Sequence, residues 1–101
     1  MSEVTTAFQV EGERWVPAGS LTMDRVATVL AASVEAALPG TGIVDLQRVE
    51  AVDSAGVALL LAWKRRARAE AKTLTFVHMP PSLASLAELY DVEDLLVAET
   101  G

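Results

Sequence analysis

The chain contains no cysteine, which excludes disulfide stapling and thiolate chemistry. Aromatic residues are scarce, two Trp, two Phe and one Tyr, although 51% of the residues are apolar. The core must therefore be built from Val, Leu, Ile and Ala. The longest unbroken apolar run, Val57 to Trp63, falls far short of the roughly 20 residues that cross a bilayer. The opening stretch Met1 to Thr6 has neither a basic n-region nor an apolar h-region. A cytoplasmic domain is the expectation. Basic residues are outnumbered, 8 against 14 acidic, and the net charge of −6 argues against bulk nucleic-acid binding.

What is present fits one domain, 1–101, just large enough to bury a single core. Lys64, Arg65, Arg66, Arg68 and Lys72 gather most of the positive charge in one short segment, while Glu88, Asp91, Glu93, Asp94 and Glu99 load the C-terminus with acid. Either cluster is accounted for by solvated surface, or the two polarise the surface and orient docking onto a protein partner.

Along the chain, Ala7–Val10 and Arg14–Ala18 flank the polar turn Glu11-Gly12-Glu13 and predict a β-hairpin. Gly19-Ser20 ends the second strand, and Thr22 is placed to cap a helix. Met23, Val26, Ala27, Leu30, Val34, Ala37 and Leu38 then recur at helical spacing, one apolar stripe expected to face the core. Arg25, Thr28 and Glu35 fall off it, toward solvent, and Pro39-Gly40 stops the helix. Ile43–Leu46 reads as a central strand, in which Asp45 must lie at the strand end or be paired, since an unpaired buried carboxylate is costly.

A second helix is expected from about Ala55, burying Gly56, Leu59, Leu60, Trp63 and Ala67, with Val57, Ala58 and Leu61 widening its apolar surface. Thr73–Val77 predicts a strand. His78-Met79-Pro80-Pro81 is a break, and Ser82 starts a short helix with Leu83, Leu86, Ala87 and Tyr90 on one face. Asp91 can cap a final turn carrying Val92, Leu95 and Leu96, before a loose tail from Ala98. The order β, β, α, β, α, β, α predicts an α/β fold, a mixed sheet of four to five strands with helices mainly on one face.

Little here can carry catalysis. His78 has no activated nucleophile near it in sequence and reads as structural or merely exposed. No spaced His, Cys or carboxylate cluster calls for a metal, and Asp91, Glu93 and Asp94 lack the glycine and register of a calcium loop. Pro39-Gly40-Thr41-Gly42 follows a helix and lacks a lysine, so it is no phosphate loop. No cofactor is expected. The conspicuous feature is Asp53-Ser54-Ala55-Gly56, a polar corner between an apolar strand and an apolar helix. One reading is a helix N-cap, with Ser54 or Asp53 accepting backbone N–H bonds. A second is a phosphorylation site at Ser54, the phosphate held by the helix N-terminus. A third is a contact surface whose small residues admit a close partner.

The corner Asp53-Ser54-Ala55-Gly56 with Val57-Ala58-Leu59-Leu60-Leu61, after a strand ending Val44-Asp45-Leu46, resembles the STAS domain family, which includes anti-sigma factor antagonists. Leu59–Trp63 with Arg65-Arg66-Ala67-Arg68, and Leu86–Tyr90 before Val92–Leu96, look most like the MlaB-type members, small STAS subunits of ABC phospholipid transporters. The resemblance implies a SpoIIAA-like sheet with helices on one side and a non-catalytic role. It further implies binding to a cytoplasmic MlaF-like ATPase within a complex that includes a membrane permease. Such a transporter maintains outer-membrane lipid asymmetry, and the subunit would be peripheral at the inner membrane through its partner.

On that resemblance, Asp53, Ser54, Ala55, Gly56, Val57 and Leu60 are the expected partner-binding residues. Ser54 matches the hydroxyl that anti-sigma factor antagonists phosphorylate. Many relatives carry acids in a Gly-Glu-Leu-Asp pattern where this chain has Gly19-Ser20-Leu21-Thr22. The departure weakens a kinase-binding surface that would use those acids.

Overall fold

The computed structural model describes residues 8–90. Six strands and three helices follow in the order β1 (Phe8–Glu11), β2 (Arg14–Pro17), β3 (Gly19–Leu21), α1 (Met23–Val34), β4 (Ile43–Asp45), β5 (Val49–Val52), α2 (Ser54–Ala69), β6 (Thr75–Val77) and α3 (Pro81–Leu89). The final turn or short helix that Asp91 is expected to cap, and the tail after it, lie outside the described residues.

The predicted hairpin is present: β1 pairs antiparallel with β2 through a turn in which Gly12 takes φ +64°, a left-handed conformation that glycine adopts without strain. β2, β4 and β6 run parallel, completing a four-stranded mixed sheet in the order β1-β2-β4-β6. Trp15, Val44 and Phe76 are register neighbours across it, so alternation puts all three on one face. They share a single buried cluster with Val29 of α1, Leu60 and Trp63 of α2, and Leu83 and Ala87 of α3. The helices therefore cover that face. The few aromatics meet at its centre, where the Trp15 and Trp63 rings pack edge-on with centroids 5.2 Å apart and Phe8 packs against both.

Two strands were not legible as such. β3 and β5 pair parallel in a separate two-stranded ribbon, in which Leu21 lies beside Val52. Gly19–Leu21 is too short to show a period, and Val49–Val52, in which Glu50 and Ala51 are exposed, has no apolar run to mark it as a strand. The ribbon matters because each of its strands runs directly into a helix. Register thereby brings the start of α1 beside the start of α2.

The α1 stripe corrects a sequence expectation. The helix buries Val29 and Ser33, with Val26 half-buried, whereas Met23, Ala27, Leu30 and Val34 are exposed. The helix also ends at Val34, so Ala37 and Leu38 belong to the connection, where Ala37 is exposed and Leu38 is buried. Arg25, Thr28 and Glu35 are exposed as expected. In α2 the expected stripe of Gly56, Leu59, Leu60, Trp63 and Ala67 is buried, joined by Val57. Pro81 occupies the first turn of α3, where its missing N–H costs nothing.

The far ends of α1 and α2 are tied as well. Trp63 Nε1 donates to Ser33 Oγ at 2.9 Å, and that hydroxyl donates to Leu30 O. Arg66 donates from its two terminal nitrogens to Ser33 O and Ala36 O at 2.9 and 2.8 Å, adding to the Ala36 N–H that already bonds Ser33 O at the end of α1. The two helices thus lie side by side with their N-termini together and their C-termini together.

Candidate functional site

The corner begins at the end of β5, where Asp53 N donates to Leu21 O across the ribbon. Asp53 itself is the N-cap of α2: Oδ1 accepts from Ala55 N at 2.9 Å and from Gly56 N at 3.4 Å. Its other oxygen, Oδ2, accepts from Met23 N, the first helical residue of α1, at 3.0 Å. One carboxylate thus serves two helix N-termini, each carrying partial positive charge from its unpaired amides. Of the two capping residues the sequence allowed, Asp53 fills the role. Ser54 is the first residue of α2 and is exposed.

Thr22 stands at the N-cap position of α1 yet makes no capping bond through its side chain. Its hydroxyl donates to Asp24 Oδ1 at 2.6 Å instead. That bond, helped by the residue's own backbone N–H and by Arg25, holds the exposed Asp24 carboxyl below its ordinary value. Asp53 supplies what Thr22 does not.

Gly56 explains how the corner closes. A Cβ there would lie 2.3 Å from Leu21 O and 2.8 Å from Val52 Cγ1. Only glycine lets the first turn of α2 approach β3 so nearly.

The expected partner-binding residues separate by depth. Ser54 is exposed, Asp53 and Ala55 are half-buried, and Gly56, Val57 and Leu60 lie inside. Val57 and Leu60 therefore have no side-chain surface for a partner to touch; they belong to the core that holds the corner rigid. Sequence reasoning missed the exposed row Met23, Ala27, Leu30 and Val34, whose first member meets Asp53. Val26, Val29 and Ser33 form a second helical row, and it is this one that α1 turns inward.

A second polar constellation sits on the other face of the main sheet. Asp45, 1% exposed, accepts from Arg14 Nη1 at 2.7 Å, from Gln47 N at 3.0 Å and from Gln47 Nε2 at 3.1 Å. His78 Nδ1 lies 3.0 Å from Asp45 Oδ1. Burial pushes this carboxyl up, but the Gln47 amide, His78 and Arg14 together outweigh it and hold Asp45 below its ordinary value. The lone histidine thus partners a buried acid at a strand end, with its backbone at φ +57°. Beside it Arg48 bonds Gln9 and Glu11. Among the described residues no group of three or more His, Cys, Asp or Glu could hold a metal ion, and no helix is long and apolar enough to cross a membrane.

A four-stranded mixed sheet, a parallel pair and three helices make an α/β domain of the SpoIIAA type. Among solved structures the chain is similar to the anti-sigma factor antagonist SpoIIAA in its unphosphorylated form, with a TM-score of 0.52 and 22% identity over 82% of this chain and 83% of that one. Comparison with curated protein sequences gives no match. The family model described as Mlab, STAS domain, matches residues 17–98, and the chain belongs to that family.

Proposed function

We propose that this chain is a non-catalytic STAS subunit that binds the cytoplasmic ATPase of an ABC phospholipid transporter and supports its assembly or activity. Membership in the Mlab family supports the reading. The observation that carries it is the exposed Ser54 on a corner that one carboxylate fixes to two helices. A surface held from both sides loses little freedom on association, which favours binding. The one histidine is engaged with a buried acid rather than with a nucleophile. The ATPase would bring the complex to the inner face of the inner membrane, alongside its permease.

The test is Ser54→Arg, assayed by co-purification with the cognate ATPase. Ser54 is exposed, so the fold tolerates the change while a close-fitting partner does not. Association is expected to fall at least tenfold; undiminished binding removes the corner from the interface.

A second reading, anti-sigma factor antagonism switched by phosphorylation, is favoured by the same exposed hydroxyl. A phosphate on Ser54 adds nearly two negative charges. It would meet the Asp53 carboxylate, which already holds the Ala55 and Gly56 amides, rather than free donors. Intact-mass measurement on protein from cells separates the two: stoichiometric phosphate at Ser54 favours the switch, and its persistent absence favours the transporter subunit.

A further inference from the structure

The exposed row on α1 has a definite place. Met23, Ala27, Leu30 and Val34 stand at i, i+4, i+7 and i+11, one flank of the helix. Met23 is 75% exposed, Val34 63% and Leu30 39%, so the flank faces outward in a helix whose buried side is Val29 and Ser33. Around the helix, Ser33 lies between Val29 and this row, and Ser33 reaches Trp63 of α2. The row is therefore on the flank nearer α2. On α2 the positions turned toward this row are small, Ala58 exposed and Ala62 half-buried, and the exposed Arg65 stands at the far end, whereas Arg68 lies nearly opposite the Arg66 that reaches α1 and so points away from it. The result is a shallow trough between two parallel helices, opening at Ser54 and ending in positive charge. Its apolar wall is about 16 Å long at 1.5 Å per residue, three helical turns.

We propose that this trough is the docking site for an amphipathic helix of a protein partner, with apolar side chains repeating at i, i+4 and i+7 and an acidic end that meets Arg65. Charge selects the acid. In a chain of net charge −6, the exposed Arg65 gives this end of the trough a positive charge that attracts an acidic segment. Shape selects the helix: a three-turn trough with bulky residues on one wall and alanines on the other admits a row of anchors from a helix laid along it. The inference deepens the ATPase-binding reading and rests on it, since the trough continues from the Ser54 corner.

The experiment measures affinity for the purified cognate ATPase subunit with Leu30→Lys/Val34→Lys, Arg65→Glu and Ser54→Arg. The double variant is expected to weaken binding at least tenfold with an unchanged melting temperature. Arg65→Glu is expected to weaken it and to flatten its dependence on salt. A photo-crosslinker at Ala27 is expected to label one helical segment of the ATPase.

Normal binding by Leu30→Lys/Val34→Lys and by Arg65→Glu while Ser54→Arg fails overturns the trough and leaves the corner standing. Normal binding by all three overturns both. A lowered melting temperature for Leu30→Lys/Val34→Lys shows the row packed against its own chain, and concentration-dependent dimers abolished by that variant show a second copy there. Flotation on anionic vesicles lost with that variant shows a membrane instead. Each of these three results overturns the proposal, as does a crosslink confined to a loop or strand.

Discussion

The Asp53 carboxylate accepts the Met23 backbone N–H at 3.0 Å while its other oxygen caps α2, so one side chain orients both helices at the corner. Asp53→Ala removes a cap and a link between helices, and is expected to cost about 1–3 kcal/mol in urea unfolding. Asp53→Asn keeps one carbonyl oxygen, enough for one helix and not both, and is expected to fall between. Equal losses for the two variants count against the shared cap.

Gly56→Ala raises intrinsic helix propensity by about 1 kcal/mol yet should destabilise. The new methyl would sit 2.3 Å from Leu21 O, a backbone atom held in the ribbon. A net loss of about 1–3 kcal/mol is expected from the shift in denaturation midpoint. A gain would show that α2 moves off β3 freely.

Ser33 is the acceptor for a buried indole. Ser33→Ala strands the Trp63 N–H in the core and is expected to cost about 1–3 kcal/mol. In Trp63→Phe that N–H is gone, so adding Ser33→Ala should cost clearly less than it does alone. A double-mutant cycle that closes additively rules out the bond as a contributor.

Acid should unfold the protein partly through Asp45. Its folded-state pKa is lowered, so the stabilisation it gives is complete above the ordinary value near 3.8 and is lost as pH falls below that toward the folded value. Stability measured against pH should therefore fall in that window for the native chain, and Asp45→Asn should flatten the fall. An unchanged slope would place the acid sensitivity elsewhere.

How much of this could be read from residues alone depended on how each element signals itself. Helix α2 was legible because Gly56, Leu59, Leu60, Trp63 and Ala67 keep one period through a fully buried face. The hairpin was legible from its turn, and Asp45 from the cost of burying a lone carboxylate. The ribbon was not, because three or four residues hold too few alternations to reveal a strand. The facing of α1 was misread for a different reason. Its exposed row is the more apolar of two, and hydrophobicity says only that a surface seeks cover, not that its own chain provides it. At the corner, the Asp53-Ser54 pair was visible while the second helix that Asp53 holds was not. Met23 contributes a backbone N–H, which every residue type but proline carries.

The pairing of Leu21 with Val52 acts as a ruler. Moving either strand by one residue would displace the chain about 3.3 Å and turn inward side chains outward. Met23 would then stand too far from Asp53 to share its carboxylate. An insertion or deletion in Gly19–Leu21 or Val49–Val52 would thus misalign both rods at their common end while the four-stranded sheet kept its own pairing.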